Sequence, residues 1–432
     1  MDNNRRTILK TGTAATLAAA VPSILKAQNT PDQIKIGVIG CGGRGSGALA
    51  QAMSADPNVI LWSIGDAFER GINNAVRVSG RFNERMQAPK ERQFLGLDAY
   101  KGVIASGVDV VLLCTPPHFR PQHLRAAVEA GKHAFVEKPM AIDIPGVKSV
   151  IESAQMAKKK GTAIQHGFCW RYHPGTKQAY EKVLAGELGR VVSIYGTYMA
   201  NPVAPLANGV NKPDGMGDVE FQMRHWQNYE WLCGTALVEQ CIHTIDKVGW
   251  AMNDVAPIAA VANGGRAQRD DQSNLFDHYD ITYEYPNGVT AHVGQRQMNG
   301  THSDVTDRVY CENGTMFSPG RCSIKDVSGK TTWRIRPEKG VEDNMYQVCH
   351  NEFFAALRAG KIINTGEYMA KATALGLLGR EAAHTGKRVK LEDYWKSEED
   401  QAPDDIQFGD TFPVASLPIP GKERPATKPS RG

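Results

Sequence analysis

Short apolar runs alternate with helix-like stretches in the part of the chain that begins at residue 33. Each run is apolar at consecutive positions, which is typical of parallel strands buried on both faces. The predicted strands are Ile34–Ile39, Val59–Ile64, Val108–Cys114, His133–Val136 and Thr162–Ile164. The predicted helices between them are Leu49–Ser54, Tyr100–Ser106, Pro121–Gly131 and Ile144–Gly161. Residues 33–165 are therefore predicted to form a doubly wound, Rossmann-type domain of the α/β class.

After His166 the pattern changes, and strands with turn residues between them replace the regular alternation. The predicted helices are Pro174–Gly186, Leu237–Ala251, Asn344–Ala359 and Gly366–His384. The predicted strands are Val191–Met199, Ile281–Tyr285, Val289–Gln297 and Val305–Glu312, and a long loop is predicted at Asn201–Gly217. We expect residues 166–395 to form an α/β domain with an open, largely antiparallel sheet. Residues 396–432 lack periodicity, which predicts an extended tail, either draped over the surface or disordered.

The first 27 residues have the pattern of a twin-arginine signal peptide. The segment NRRTILK at residues 4–10 precedes an apolar stretch, Thr11–Val21, that is too short to span a bilayer. We therefore expect residues 1–27 to direct the folded protein to the periplasm through the twin-arginine export machinery and then to be removed, which leaves no stable membrane anchor.

Charge and cysteine content exclude several classes of protein. The formal net charge is +4, and residues 1–27 carry four basic side chains against one acidic one, so the mature chain is close to neutral. That balance does not favour binding to nucleic acid. The eight cysteines are scattered, with no CxxC pair and no close group of His and Cys. The sequence therefore predicts reduced thiols and no metal site.

A glycine-rich loop with the sequence GCGGRG follows the first predicted strand and opens the first helix. Glycines at these positions allow a tight turn, close approach of a pyrophosphate and close packing of helix on strand. Asp66 ends the second strand, where a carboxylate can accept hydrogen bonds from the adenosine ribose. This favours NAD over NADP, although Arg70 nearby weakens the preference. The cofactor-binding candidates here are Gly40, Gly42, Gly43, Arg44, Gly45 and Asp66.

Two further strand ends carry polar residues where the nicotinamide end of the cofactor is expected. The fourth strand runs into the sequence CTPPH, and the fifth runs into EKP. A lysine at this edge can bind a substrate hydroxyl and stabilise negative charge as the hydroxyl loses its proton. These strand ends add the cofactor-binding candidates Thr115, Pro116, His118, Glu137 and Lys138.

A later predicted helix carries Glu239 and His243, four residues apart. This spacing places the two side chains on one face, so the carboxylate is expected to orient the imidazole and stabilise its protonated form. Such a pair suits a general base that removes a hydroxyl proton while hydride leaves the same carbon. An ordinary core histidine is the alternative interpretation of His243 on its own.

Taken together, these motifs resemble the glucose–fructose oxidoreductase/inositol dehydrogenase (Gfo/Idh/MocA) family. The resemblance covers about residues 33–390 and includes the AGKH segment that precedes EKP. It implies that Lys138 contacts the substrate and that His243 is the catalytic base. The carboxylate before that histidine is usually Asp and is Glu239 here, and Cys241 stands where Gly is common. The resemblance also implies that the second domain forms a homodimer or homotetramer.

The leading hypothesis is an exported NAD(H)-dependent oxidoreductase that acts on a hydroxyl of a carbohydrate or polyol. Free cofactor should be scarce outside the cytoplasm, so it is expected to be tightly bound and recycled within the protein. One alternative is a redox-assisted glycoside hydrolase, although the Pro-Thr-His-Gly loop of such enzymes is missing. Another is a sugar-binding protein without activity, which retention of Lys138 and His243 disfavours. Further candidates to line a sugar pocket are Arg171, Tyr172, Arg224 and Trp226.

Overall fold

The structure is a computed structural model that describes residues 32–207, 209–336, 338–401 and 405–422. The predicted signal peptide lies outside the described residues, as do residues 423–432 of the predicted tail. Among the described residues, no helix is long and apolar enough to cross a membrane.

A six-stranded parallel sheet forms the first domain, with the strand order β3-β2-β1-β4-β5-β6. Its strands are β1 Ile34–Ile39, β2 Val59–Asp66, β3 Gln93–Leu95, β4 Val110–Leu113, β5 His133–Val136 and β6 Ile164–His166. Its helices are α1 Gly43–Ala55, α2 Glu69–Ser79, α3 Ala99–Ala105, α4 Arg120–Glu129 and α5 Ile144–Lys160. This order reverses direction between β1 and β4, where a dinucleotide binds in such sheets.

The first domain follows its sequence pattern closely where the pattern is strong. All four residues of β4 are buried, as expected for a strand covered by helices on both faces. Helix α5 begins where the Asp143 carboxylate accepts a hydrogen bond from the Gly146 amide, and ends at Gly161 with φ +69°. The sequence analysis did not predict α2 or β3, and it began α1 six residues late, because glycines have a low helix propensity.

The second domain adds a nine-stranded sheet and a set of helices on one of its faces. Its strands are β7 Val191–Ala200, β8 Ala259–Gly265, β9 His278–Glu284, β10 Thr290–Gln297, β11 Asp307–Cys311, β12 Gly314–Ser318, β13 Ser323–Asp326, β14 Thr331–Arg334 and β15 Val389–Lys390. Its helices are α6 Pro174–Leu184, α7 Asp218–Arg224, α8 Glu230–Cys233, α9 Ile242–Ala251, α10 Met345–Arg358, α11 Gly366–Thr385 and α12 Leu391–Tyr394. A π-helical turn, Leu237–Cys241, leads directly into α9.

The strand order of the second sheet is β14-β13-β12-β11-β7-β10-β9-β8-β15. Only the central pair β7–β10 is parallel among the described strands, and every other neighbouring pair is antiparallel. This confirms the predicted fold class, a Rossmann domain followed by an α/β domain with an open, largely antiparallel sheet. The short terminal strands carry little apolar pattern, which is why the sequence analysis missed them.

Helices α10 and α11 join the two domains into one packed unit. The chain returns to the first domain at α10, where Phe353 and Phe354 are fully buried against α1 and the first sheet. The Arg358 guanidinium on α10 also forms an ion pair with Asp56, 2.6 Å away. Helix α11 lies between α5 and strand β8 and is buried along most of its length. The largest cluster of buried apolar residues therefore includes residues of both domains, which the sequence pattern does not predict.

The long loop and the described part of the tail pack against each other at the carboxyl edge of the first sheet. The tail amide of Phe412 donates a hydrogen bond to Asp218, and the tail carbonyl of Phe412 accepts one from Gln222. An aromatic cluster, which we call the aromatic cover, forms there. The aromatic cover consists of Phe68, Phe119, Trp226, Trp231, Phe408 and Phe412.

Candidate active site

The glycine-rich loop has the geometry that a diphosphate needs. Gly40 has φ +84°, and a Cβ on it would lie 2.6 Å from the Thr115 amide nitrogen. A Cβ on Gly45 would collide with the carbonyl oxygen of Gly40. A Cβ on Gly42 or Gly43 would meet no protein atom within 4 Å, so the loop is open there. Helix α1 begins at Gly43 with no acidic residue in its first turn, so the amides of that turn can donate hydrogen bonds to an anion.

Asp66 lies at the end of β2, beside this loop. Its carboxylate accepts hydrogen bonds from the Cys41 amide at 2.6 Å and from the Phe68 amide at 2.9 Å. Burial raises the pKa of this carboxyl. Arg70 is exposed on the following helix. The structure thus places Asp66 next to the diphosphate loop, where a ribose hydroxyl is expected, while the preference for NAD over NADP stays a prediction.

Arg44 and Glu137 form an ion pair that links α1 to the end of β5. The Arg44 Nε lies 3.0 Å from the carboxylate of Glu137, which is buried. The Arg44 guanidinium also stacks over the ring of Tyr346 on α10, 4.6 Å from its centroid. The pair holds the first turn of α1 against the carboxyl edge of the first sheet, at the end of β5.

The residues after β4 line the same edge. The Thr115 hydroxyl lies 3.3 Å from Nδ1 of His123, and Pro116 precedes a short 3-10 turn, Pro117–Phe119. The His118 ring contacts Trp231 edge-on, with their centroids 5.0 Å apart. Trp231 belongs to the aromatic cover, so His118 connects the cofactor edge of the first domain to the second domain.

The centre of the site is a chain of polar contacts that begins at Lys138. The Lys138 ammonium lies 3.1 Å from the Glu239 carboxylate and also donates to the Glu239 carbonyl oxygen. The other oxygen of that carboxylate accepts from the Gln240 amide, whose own oxygen accepts from the Tyr198 hydroxyl at 3.1 Å. Burial and the Glu239 charge raise the pKa of Tyr198 to about 12, so this phenol remains a donor. Lys138, from the first domain, is therefore held in one position by residues of the second domain.

His243 lies at the start of α9, and the structure corrects the partner predicted for it. Glu239 does not orient the imidazole, since its carboxylate is bonded to Lys138 and Gln240. Nδ1 of His243 is buried without a hydrogen-bond partner among the residues that the structure describes. The physical reason is that the π-helical turn ends between the two residues, and that the ammonium is a stronger partner for the carboxylate.

The electrostatic surroundings of His243 favour its neutral form. Burial, followed by the positive charges of Lys138 and Lys247, lowers the pKa of His243 well below its ordinary value. Lys247, one turn later on α9, is buried and forms an ion pair with Asp307. A neutral imidazole can accept a proton at neutral pH, whereas the predicted stabilisation of its protonated form is not what this arrangement provides.

The four residues predicted to line a sugar pocket are held by other groups. Arg171 forms ion pairs with Asp246 at 3.2 Å and with Asp254 at 2.6 Å. The Tyr172 hydroxyl accepts a hydrogen bond from Gln165 at 2.7 Å. Arg224 pairs with Glu220 and stacks over Phe68 at 4.4 Å, and Trp226 packs in the aromatic cover. Each of these side chains therefore already has a partner within the protein, and contact with a substrate stays a prediction.

Sequence reasoning missed two members of the site, Tyr198 and Gln240. Gln240 stands between Glu239 and Cys241 in the motif that the resemblance rests on, so its position was a usable signal. Tyr198 lies on β7 and gave no such signal, since its contact with Gln240 depends on tertiary packing. Among the described residues, no group of three or more His, Cys, Asp or Glu side chains is placed to hold a metal ion.

Comparison with protein-family models identifies both domains. Residues 34–168 match the model described as "Oxidoreductase family, NAD-binding Rossmann fold", and residues 176–317 match the "GFO/IDH/MocA C-terminal domain". These matches confirm the predicted class of enzyme, an oxidoreductase with a nicotinamide cofactor bound by its Rossmann domain.

Individual relatives are more distant. An inositol 2-dehydrogenase of Paracoccus denitrificans is 28% identical over 68% of this chain and 77% of its own length. A scyllo-inositol 2-dehydrogenase (NAD(+)) of Bacillus subtilis is 23% identical over 66% of this chain and 73% of its own length. A solved levoglucosan dehydrogenase, in complex with NADH and levoglucosan, has the same fold with a TM-score of 0.65 and 19% identity, over 83% of this chain and 99% of that one.

Proposed function

We propose that this chain, which belongs to the Gfo/Idh/MocA family of oxidoreductases, transfers hydride between NAD(H) and a hydroxyl-bearing carbon of a carbohydrate or polyol. The observation that carries the proposal is the pairing of Lys138 with Glu239 close to a neutral, buried His243. A hydroxyl placed there would meet one fixed cationic donor and one proton acceptor. The relatives named as inositol dehydrogenases support the substrate class.

The chain's own residues would handle the proton while the bound nicotinamide supplies the hydride acceptor. His243 would accept the hydroxyl proton, since its imidazole is kept neutral by burial. Lys138 would donate a hydrogen bond to the same oxygen and stabilise the negative charge that develops on it. Glu239 would act as a positioning residue, because it holds the Lys138 ammonium by both its carboxylate and its carbonyl oxygen.

We further propose that the cofactor is NAD(H) and that it stays bound between turnovers. Asp66 supports NAD over NADP, since its carboxylate would repel a 2′-phosphate. Phe68, two residues after Asp66, stacks on Phe408 of the tail with their centroids 5.4 Å apart. The aromatic cover thus packs against the strand ends where the adenosine half of the cofactor is expected.

We also propose that the protein is exported through the twin-arginine pathway to the periplasm, where a retained cofactor would be an advantage. A homodimer or homotetramer is proposed as well, and light scattering would test it.

The experiment is to purify the mature protein, denature it and identify the released nucleotide by mass spectrometry. Stoichiometric NAD(H) is expected, followed by turnover when pairs of sugars or polyols are supplied without added cofactor. An empty site together with dependence on added NAD would contradict retention and leave an ordinary dehydrogenase. Release of an aglycone from a glycoside, with no net redox change, would instead establish the redox-assisted hydrolase as the function.

A further inference from the structure

Gln295 on β10 is a buried amide with nothing to bond to. Gln295 is 2% exposed, and neither its side-chain nitrogen nor its side-chain oxygen has a hydrogen-bond partner among the described residues. Leaving a buried polar group unpaired costs about 1–3 kcal/mol, so an amide in this condition is expected to serve a ligand. The described contacts of the fold itself give this side chain no structural role.

The sheet register places Gln295 on the same face as the active site. Gln295 is the Cα partner of Tyr198 on the parallel strand β7, so the two side chains leave the sheet on one side. Gly196, two residues before Tyr198, faces α9, since a Cβ on it would lie 2.5 Å from the side chain of Thr244. The Tyr198 hydroxyl reaches Gln240, next to Glu239. Gln295 thus lies beside Tyr198, on the face of the second sheet that α9 covers.

A second amide follows two residues later. Gln297 is 5% exposed, and its side-chain nitrogen has no partner among the described residues. It is the Cα partner of Ala200, the last residue of β7. Because β7 and β10 are parallel, their carboxyl ends lie at the same edge of the sheet, and Gln295 and Gln297 are close to that edge. The long loop at 201–217 follows β7 at the same edge.

We infer that Gln295 and Gln297, beside Tyr198, form a subsite that binds the non-reacting hydroxyls of a neutral polyhydroxy substrate. An amide offers both a donor and an acceptor, which is what a hydroxyl needs. The three side chains carry no charge, so a phosphate or carboxylate on the substrate would have no counter-ion in this subsite. The inference rests on the proposed function and specifies its substrate as an uncharged sugar or cyclitol.

The test compares the wild type with Gln295→Leu, both loaded with NAD, in thermal-shift titrations with myo-inositol, D-glucose and D-glucose 6-phosphate. The wild type should be stabilised by at least one of the neutral compounds and not by the phosphate. Gln295→Leu should bind that compound about 10- to 100-fold more weakly, since one or two hydroxyl hydrogen bonds are lost. In turnover the loss should fall on KM, with kcat changed by only a few-fold.

The melting temperature without ligand shows whether the Gln295 amide serves a ligand or the stability of the fold. Without polyol, Gln295→Leu should melt at the same or a higher temperature than the wild type, because it removes an unpaired polar group. The control is Gln222→Leu, whose amide bonds to Trp231 and to the Phe412 carbonyl and whose loss should lower the melting temperature. Gln297→Leu provides a second, independent variant should Gln295→Leu fail to fold, with the same expected weakening.

Three results would overturn the inference. If the wild type and both leucine variants bind the neutral compounds equally, the subsite is wrong and the proposed oxidoreductase function stands. If neither neutral compound stabilises the wild type, or if the phosphate binds more tightly, the neutral subsite is wrong. The turnover assay with pairs of sugars or polyols then decides separately whether the proposed oxidoreductase function stands.

Discussion

At the scale of single residues, His243 differs from many catalytic histidines because the charges that act on its imidazole are those of two lysines, and no carboxylate bonds to its Nδ1 among the described residues. Lys138 and Lys247 both lower its pKa in addition to burial. We predict that His243→Ala reduces turnover by about 10³-fold, within the range for loss of a general base. Bound NAD should remain stoichiometric, as measured by mass spectrometry of the released nucleotide. A loss of only a few-fold would show that His243 is not the base.

The lowered pKa of His243 also leads to a prediction for how the rate of hydroxyl oxidation depends on pH below neutrality. A histidine whose pKa is lowered stays neutral until the pH falls through its folded value, well below 6.5. The rate of hydroxyl oxidation should therefore show no loss centred near pH 6.5. A kcat profile that titrates at 6.5 would contradict the arrangement of charges described here.

His350 gives a test of stability that is independent of catalysis. It is buried on α10 against Phe135, with ring centroids 4.1 Å apart, and burial lowers its pKa to about 3. Because the unfolded chain binds a proton near pH 6.5 and the folded one does not, wild-type stability is lost as the pH falls below 6.5. We predict that His350→Phe removes this loss, which amounts to roughly 2 kcal/mol at pH 5.

The measurement is denaturant unfolding of both proteins at pH 7.5 and at pH 5. Comparing the variant with the wild type cancels the opposing contribution of other groups, such as Asp246, whose burial raises its pKa to about 6. Equal losses in the two proteins between these pH values would contradict the assignment of His350 as a neutral, buried imidazole.

At the scale of elements, the glycine loop offers a matched pair of substitutions. Gly45→Ala should impair folding, because its Cβ would collide with the Gly40 carbonyl oxygen. Gly43→Ala should fold normally, since its Cβ would meet no protein atom within 4 Å, yet bind NAD at least about tenfold more weakly because it fills the space for the diphosphate. Fluorescence titration with NADH measures the second effect, and unchanged affinity in Gly43→Ala would mean that the diphosphate lies elsewhere.

The same scale shows what the sequence could predict. The strands with consecutive apolar residues, such as Ile34–Ile39 and His133–Val136, were predicted with the bounds that the structure has. The edge strands β14 and β15 and the neighbouring β13 were not, because their short and half-exposed segments have no distinct period. The π-helical turn Leu237–Cys241 was also beyond prediction, since it reads as ordinary helix. This turn ends between Glu239 and His243, and the Glu239 carboxylate bonds to Lys138 and Gln240 instead of the predicted imidazole.

At the scale of the whole molecule, we expect the aromatic cover to slow the dissociation of the cofactor. Phe408 stacks on Phe68, and Phe412 packs on Trp231 with centroids 5.1 Å apart. The double variant Phe408→Ala/Phe412→Ala should therefore release NAD at least about tenfold faster, since removal of 1.4 kcal/mol of packing already corresponds to tenfold.

Dialysis followed by quantification of the retained nucleotide measures this release. Val414→Ala is the control, because that side chain is in the same tail and 41% exposed. Equal retention in the double variant and the wild type would show that the cover stabilises the tail without holding the cofactor. Tertiary packing of this kind could not be read from the sequence, where the tail has no periodic pattern.

The position of the tail in the chain gives the aromatic cover a further consequence, which concerns the order of assembly. Phe408 and Phe412 follow all the strands and helices that the structure describes in both domains, so the glycine loop and the Lys138–Glu239 pair can form while the tail is still undocked. If the aromatic cover retains the cofactor as proposed, NAD has to bind after the glycine loop has formed and before Phe408 of the tail docks against Phe68. In that case, protein produced where NAD is scarce would fold without cofactor, and its cofactor content would reflect the conditions of synthesis rather than those of the assay.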